Sequence, residues 1–200
     1  MTYMNVAIEV KQQIIDVADT RFRRYGFGKT TMAEIAKDCR MSAANVYRYF
    51  ENKEELGVEI ALRCLHNKEK VGHAVLQRKG LSAGERLKIF FLEILHYTYE
   101  LCENDPHLFE LVSFISAEHP DVVRRHQESL RSFVAEILAE GNRTGEFQVS
   151  DIVSCAATIL FATVHFYYPP LVMIKNHNRI DLEAAESEVI ALLIRGLSNP

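Results

Sequence analysis

Glycine and proline are scarce in this chain, nine and five among 200 residues. Turns are therefore few and long helices are expected. The four cysteines, Cys39, Cys64, Cys102 and Cys155, stand alone with no Cys-x-x-Cys pair, which reads as buried reduced thiols and not as a disulfide framework or a zinc site. A chain of this length buries a core without disulfides or a structural metal. Excess positive charge is missing as well: the net charge is −4, so the whole chain is no polycation for nucleic acid or membranes. No stretch shows sustained period-two alternation and no repeat of fixed length is visible. Nothing at the N-terminus reads as a basic-then-apolar signal peptide, so a cytoplasmic protein is expected.

One long uncharged run stands out. Ile152 to Ile174 holds 23 residues without Asp, Glu, Lys or Arg, enough on paper to span a bilayer. Pro169-Pro170 near its end and the polar Ser154, Thr158, Thr163 and His165 favour a helix buried in a protein interface instead.

The rest reads as helix after helix. Ile14, Ala18, Phe22 and Tyr25 form a stripe that stops at Gly26. Thr31 with Glu34 is a capping box for a helix from about Met32 to Cys39. Ser42 caps a short helix to about Phe50, and Asn52 with Glu55 opens a longer one to about Lys79. Ser82 with Glu85, Asp105-Pro106, Pro120, Ser150 and Asp181 open the remainder. About nine helices and no sheet are expected, an all-α fold.

Charge is unevenly placed. Residues 21–53 carry eight basic and three acidic side chains, whereas residues 61–200 carry fourteen and eighteen. A basic segment on an acidic body suits one anionic partner. Within it, two short helices joined by Arg40-Met41 and preceded by a longer one fit a helix-turn-helix. On a wheel of about 100° per residue, Val46 and Phe50 point inward with Ala43 beside them, while Arg48 opposes them between Ala44 and Asn45. Tyr47 and Tyr49 flank that outward face. Two alanines allow close approach to a major groove, and Asn45 and Arg48 offer donors to base edges. The tyrosine hydroxyls, Lys53 at a helix start and the Thr31 amide are placed for phosphates.

Enzyme readings fare poorly. Gly26-Phe27-Gly28-Lys29-Thr30 lacks the first glycine of a phosphate-binding loop, since Arg23 stands there, and it follows a helix. No Gly-x-Ser-x-Gly or His-Glu-x-x-His occurs. His66 with His73, and His119 with His126, are spaced too far for one metal without a third ligand. No enzyme activity, metal or cofactor is expected.

The run Phe27 to Ala36, then Ser42 to Phe50 and Asn52-Lys53-Glu54-Glu55-Leu56, resembles the tetracycline-repressor (TetR/AcrR) family of bacterial one-component regulators. That resemblance implies phosphate contacts at Thr31, Tyr47, Tyr49 and Lys53, and base-facing positions at Ala43, Ala44, Asn45 and Arg48. One departure is Cys39-Arg40, where the family usually has a small residue and Gly: either the turn is altered or Arg40 adds a phosphate contact. The resemblance further implies a DNA-binding domain at 1–51 and a helical effector-binding and dimerisation domain at 52–200. An effector cavity is expected among Phe91, His96, Thr98, Phe109, Phe114, Phe161 and His165. A four-helix homodimer interface is expected from Ala156, Ile159, Val189, Leu193 and Leu197. The expected function is a homodimeric repressor on a palindromic DNA operator, released by a small apolar or aromatic effector, with no membrane partner and with nucleoid association when DNA-bound. The competing reading is a helical small-molecule-binding or scaffold protein with a vestigial DNA-binding unit.

Overall fold

The computed structural model describes residues 3–173 and 178–198. Among them lie ten α-helices and one 3-10 turn, with no strand: α1 Tyr3–Tyr25, α2 Met32–Asp38, α3 Ala43–Tyr47, α4 Lys53–Leu76, α5 Ala83–Asn104, α6 Pro106–Glu118, α7 Pro120–Thr144, α8 Ile152–Thr163, α9 Pro169–Val172 and α10 Arg179–Leu197. The all-α expectation holds. Several helix starts follow their local signals: the Glu85 amide donates to Ser82 Oγ at 3.2 Å, and the Glu55 amide donates to Asn52 Oδ1 at 2.9 Å.

Two starts shift. Asp151, not Ser150, caps α8 through the Ser154 amide, and Asn178, not Asp181, caps α10 through the Asp181 amide. The uncharged run is also broken earlier than expected. Helix α8 ends at Thr163, a 3-10 turn covers Val164–Phe166, and the two prolines start α9 instead of ending α8. Tyr168 before Pro169 is extended, as the proline ring demands of its predecessor. Ile174, the last residue of that run, lies outside the described residues. No helix among the described residues is long and apolar enough to cross a membrane.

The chain forms two compact units. The first comprises residues up to Cys64 together with Glu103–His119, and the second comprises Leu65–Cys102 with the residues from Pro120 onward. The division falls inside α4, so these units are not the 1–51 and 52–200 segments read from the sequence.

In the first unit, α1 packs on α2 and α6, and α2 on α3. Ile14, Ala18 and Phe22 of α1, Ile35 of α2, Val46 of α3, Leu56 and Ile60 of α4 and Leu108 and Ile115 of α6 are buried together as its core. Gly57 permits the close approach of α4 and α6, since a Cβ there would lie 3.2 Å from Leu111 Cδ1 and 3.3 Å from Ile115 Cδ1. Arg23 pairs with Asp105 at 2.5 Å, fastening the start of α6 to α1.

In the second unit, α7 packs on α8 over a core that includes Phe90, Phe91, Ile94, Leu130, Val134, Ile137, Ile159 and Ile190. Glu146 closes the N-terminus of α5, accepting from the Ala83 and Gly84 amides at 2.7 and 2.9 Å.

Candidate nucleic-acid interface

The candidate interface is built from the turn between α2 and α3. Thr31 caps α2 in a capping box with Glu34. At the other end, the Met41 amide donates to Ala36 O at 2.9 Å and the Arg40 amide to Lys37 O at 3.0 Å. That pair of bonds is a Schellman ending, which puts residue 40 in the left-handed region. Arg40 has φ +58°. The turn is therefore kept, with an arginine where glycine is ordinarily easiest.

Ser42 then caps α3, accepting from the Asn45 amide at 3.2 Å. Helix α3 is shorter than expected, because the Arg48 and Tyr49 amides bond to Asn45 and Val46 three residues back. This tightening is 3-10 geometry.

Four of the expected DNA-contacting residues come together. Arg40, Ala44, Asn45 and Arg48, with Met41 and Ser42, line one shallow concavity of about 540 Å³. Tyr47 is 50% exposed beside Arg48 in sequence, while Ala43 and Tyr49 are half-buried. Val46 and Phe50 are buried beneath. Arg21 supports this arrangement from α1, pairing with Asp38 at 2.7 Å and Glu34 at 2.9 Å. No short-range pattern in the sequence marks that clamp.

Two residues expected to contact phosphate already have partners within the chain. The Thr31 amide and hydroxyl both donate to Glu34 Oε2 at 2.9 Å. These two bonds hold the Glu34 carboxyl below its usual range. A carboxylate thus already occupies the donors that were assigned to phosphate. Lys53 Nζ donates to Phe27 O at 2.7 Å and Thr30 O at 2.9 Å, and sits 4.4 Å from the Phe27 ring centre. Burial pushes its pKa down. Two of its three N–H groups fasten the 27–30 loop, so at most one is left for DNA.

The expected cavity residues do not gather into one lining. Phe109 and Phe114 belong to α6 and hence to the first unit, where the Phe114 ring lies 5.5 Å from that of Phe27. Phe91 packs edge-on against Phe90 in the second unit's core, and Thr98 Oγ1 donates to Ile94 O at 2.7 Å. His96 meets Glu183 at 2.8 Å, and the His165 ring lies 6.4 Å from that of Phe166. Phe161 is 83% exposed and lines an open groove with Arg124, Arg131, Leu160 and Tyr167.

The expected dimer residues on α8 and α10 lie largely on the inner face of those helices. Ala156, Ile159 and Leu197 are buried in the second unit's own core. Val189 and Leu193 are half-buried against its apolar clusters. The large apolar side chains facing outward on α8 and α10 are Val153, Phe161, Ile180 and Leu192.

Sequence comparison decides what this architecture is. The profile described as "Tetracyclin repressor-like, C-terminal domain" matches residues 83–190, and that of "Bacterial regulatory proteins, tetR family" matches residues 14–60. The chain belongs to the TetR family. It is a DNA-binding transcriptional regulator and not an enzyme. Among TetR-family relatives, it is 25% identical over 197 residues to the fatty acid metabolism regulator protein of Bacillus subtilis (strain 168), covering 94% of this chain and 95% of the relative. The fold matches the FadR repressor of Thermus thermophilus, solved in complex with lauroyl-CoA, with TM-score 0.66, 21% identity and coverage of 95% and 96%. It also matches a transcriptional regulator from Cytophaga hutchinsonii with TM-score 0.70, 23% identity and coverage of 94% and 98%.

Proposed function

We propose that this TetR-family regulator binds a palindromic operator as a homodimer and is released from it by a small, largely apolar effector. The observation that carries the DNA half is the shared concavity of Arg40, Ala44, Asn45 and Arg48. Small side chains admit the groove, Asn45 and Arg48 read base edges, and Arg40 and Tyr47 hold phosphates. Lys53 contributes chiefly by fastening the loop before α2, with one N–H left for the backbone, and Thr31 contributes by capping α2. In this reading residues 1–51 carry DNA recognition and residues 52–200 carry effector binding and dimerisation.

The dimer face proposed is the outward one, Val153 and Phe161 of α8 with Leu192 of α10. Large apolar side chains exposed together on adjacent helices favour burial against a second copy. Two recognition helices about 34–36 Å apart would then enter successive major grooves. The chain passes from one compact unit to the other inside α4. Effector occupancy in the second unit would act on that helix, and through it on Lys53 and the loop it fastens. The reading places the protein in the cytoplasm, on the nucleoid when DNA-bound.

That the relative from Bacillus subtilis is named for fatty acid metabolism, and that the Thermus thermophilus repressor holds lauroyl-CoA, supports an effector with an apolar chain. Selection of bound duplexes from a random DNA library, followed by a salt titration of the winner, tests the proposal. A palindrome with half-sites about one helical turn apart is the expected product. No enrichment at low salt from refolded, ligand-stripped dimer would contradict it and favour a vestigial DNA-binding unit.

A further inference from the structure

Charge on the outer surface of the second unit is unevenly shared between two of its helices. Helix α7 packs on α8, and α8 packs on α10. Between α7 and α8 runs the open groove of about 450 Å³ that holds Phe161. Its α8 side is apolar, with Leu160, Phe161 and Val164, and its α7 side carries Arg124, Glu128 and Arg131. Arg124 and Glu128 satisfy each other at 3.0 Å. Arg131 is half-buried on the rim, and among the described residues no carboxylate pairs with it.

Helix α10 has the opposite character. Leu182, Glu186 and Ile190 face inward. On the outward side Ile180, Ala184, Glu188 and Leu192 follow at intervals of four, and all four are exposed. Residues four apart lie one above the other on a helix, so this is a stripe of small and apolar side chains carrying one carboxylate. Among the described residues no cation pairs with Glu188. Asp181, beside the start of the stripe, is engaged with the Asn178 amide at 2.8 Å, and Arg195 ends that face one turn beyond Leu192.

An arginine-edged apolar groove and an apolar stripe with one glutamate are complementary, yet within one chain Arg131 and Glu188 do not meet. Two copies related by a two-fold axis can bring these surfaces together like-on-like or crossed. Groove on groove sets Arg131 against the partner's Arg131, and stripe on stripe sets Glu188 against the partner's Glu188. Both arrangements oppose like charges. The crossed one alone opposes unlike charges, and symmetry makes each pair twice. We propose that the groove between α7 and α8 receives α10 of a second copy, with Arg131 paired to the partner's Glu188 and the rest of the stripe laid against Leu160, Phe161 and Val164. The proposal rests on the homodimer reading and adds what fixes its register. Apolar burial supplies most of the affinity, while the two ion pairs select the crossed arrangement over the like-charged ones. It also brings α7 into an interface that the outward residues of α8 and α10 do not by themselves require.

The test is a charge exchange read by sedimentation equilibrium of the full-length protein without DNA. Arg131→Glu and Glu188→Arg each place like charges at both sites of a homodimer, and each is expected to weaken dimerisation about tenfold or more with helicity retained. An equimolar mixture of the two variants is expected to form heterodimer with near wild-type affinity, because every site of the mixed pair then holds one acid and one base. Native mass spectrometry with one variant isotope-labelled counts the species. Should a variant fail to fold, the wild type decides: its dimer is expected to loosen severalfold as NaCl rises from about 0.05 to about 0.5 M. A wild-type dimer indifferent to both substitutions or to salt would overturn the proposal and leave the groove open to another occupant. So would a mixture with no preference for heterodimer. In these cases the homodimer reading stands. A wild type that sediments as a monomer at every concentration would overturn that reading together with the proposal.

Discussion

The Lys53 ammonium donates to the carbonyl of Phe27 and lies over that residue's ring, 2.7 Å from the oxygen and 4.4 Å from the ring centre. A side chain held this way is a structural fastener before it is a DNA contact. Lys53→Met removes two charge-assisted bonds; Phe27 O keeps the Thr30 amide at 3.3 Å, and Thr30 O loses the Lys53 donor. The substitution is expected to destabilise the protein by about 1.5–3 kcal/mol in denaturant unfolding. Unchanged stability with weakened DNA binding would return Lys53 to a purely phosphate role.

Arg40 carries two effects of opposite sign. With φ +58°, its side chain is strained where glycine would not be. Arg40→Gly should therefore raise the unfolding free energy by about 1–2 kcal/mol. The same change should weaken DNA binding and reduce the slope of log affinity against log salt by about 1.8 for the dimer, the counterions of one phosphate in each half-site. Parallel unfolding and salt-titration curves check both signs.

Substitutions on the two faces of α8 test the proposed dimer face separately from folding. Phe161→Glu, at a position 83% exposed, should leave the monomer folded and shift sedimentation toward monomer. Ile159→Glu, two residues earlier but buried, should instead prevent folding, because an unpaired charge enters the core. Equal behaviour of the two variants would contradict the proposed face.

These contrasts show why some of the structure was legible in the sequence and some was not. Thr31 with Glu34, Ser42, Asn52 with Glu55 and Ser82 with Glu85 are signals over three residues, set by local backbone geometry, and they mark helix starts correctly. The outward side of α3, with Ala44, Asn45 and Arg48, was legible from the spacing of Val46 and Phe50, which are buried beneath it. The faces of α8 were not legible, because Val153, Ala156, Ile159 and Phe161 are all apolar or small and no charge marks the solvent side. The partners of Lys53 lie 23 and 26 residues away in sequence, beyond any periodic signal. Phe109 and Phe114 looked like cavity lining by composition, yet the packing of α6 on α1 places them in the first unit.

Glu186 gives the second unit a distinctive pH dependence. It is buried on α10 with one carboxyl oxygen unpartnered, and burial, with Glu183 nearby, raises its pKa to about 8. The folded protein thus holds a proton that the unfolded chain releases near its ordinary carboxyl pKa. Between that value and about 8 the folded state binds more protons, so stability falls as pH rises. The slope from this group approaches 1.4 kcal/mol per pH unit at most. Glu186→Gln should flatten this part of the curve and stabilise the protein at about pH 8 and above, as read from urea midpoints. An unaltered pH profile would contradict the buried neutral carboxyl.

The central claim, that the concavity on α3 reads DNA sequence, is tested most directly by duplex selection run in parallel on the wild type and Asn45→Ala. The account predicts a palindromic preference for the wild type. The variant should lose that preference at one symmetry-related pair of positions, a loss of about 1–3 kcal/mol per contacted base, with the rest of the site retained. An identical preferred sequence for both proteins would show that Asn45 does not face the bases and that the groove assignment is wrong.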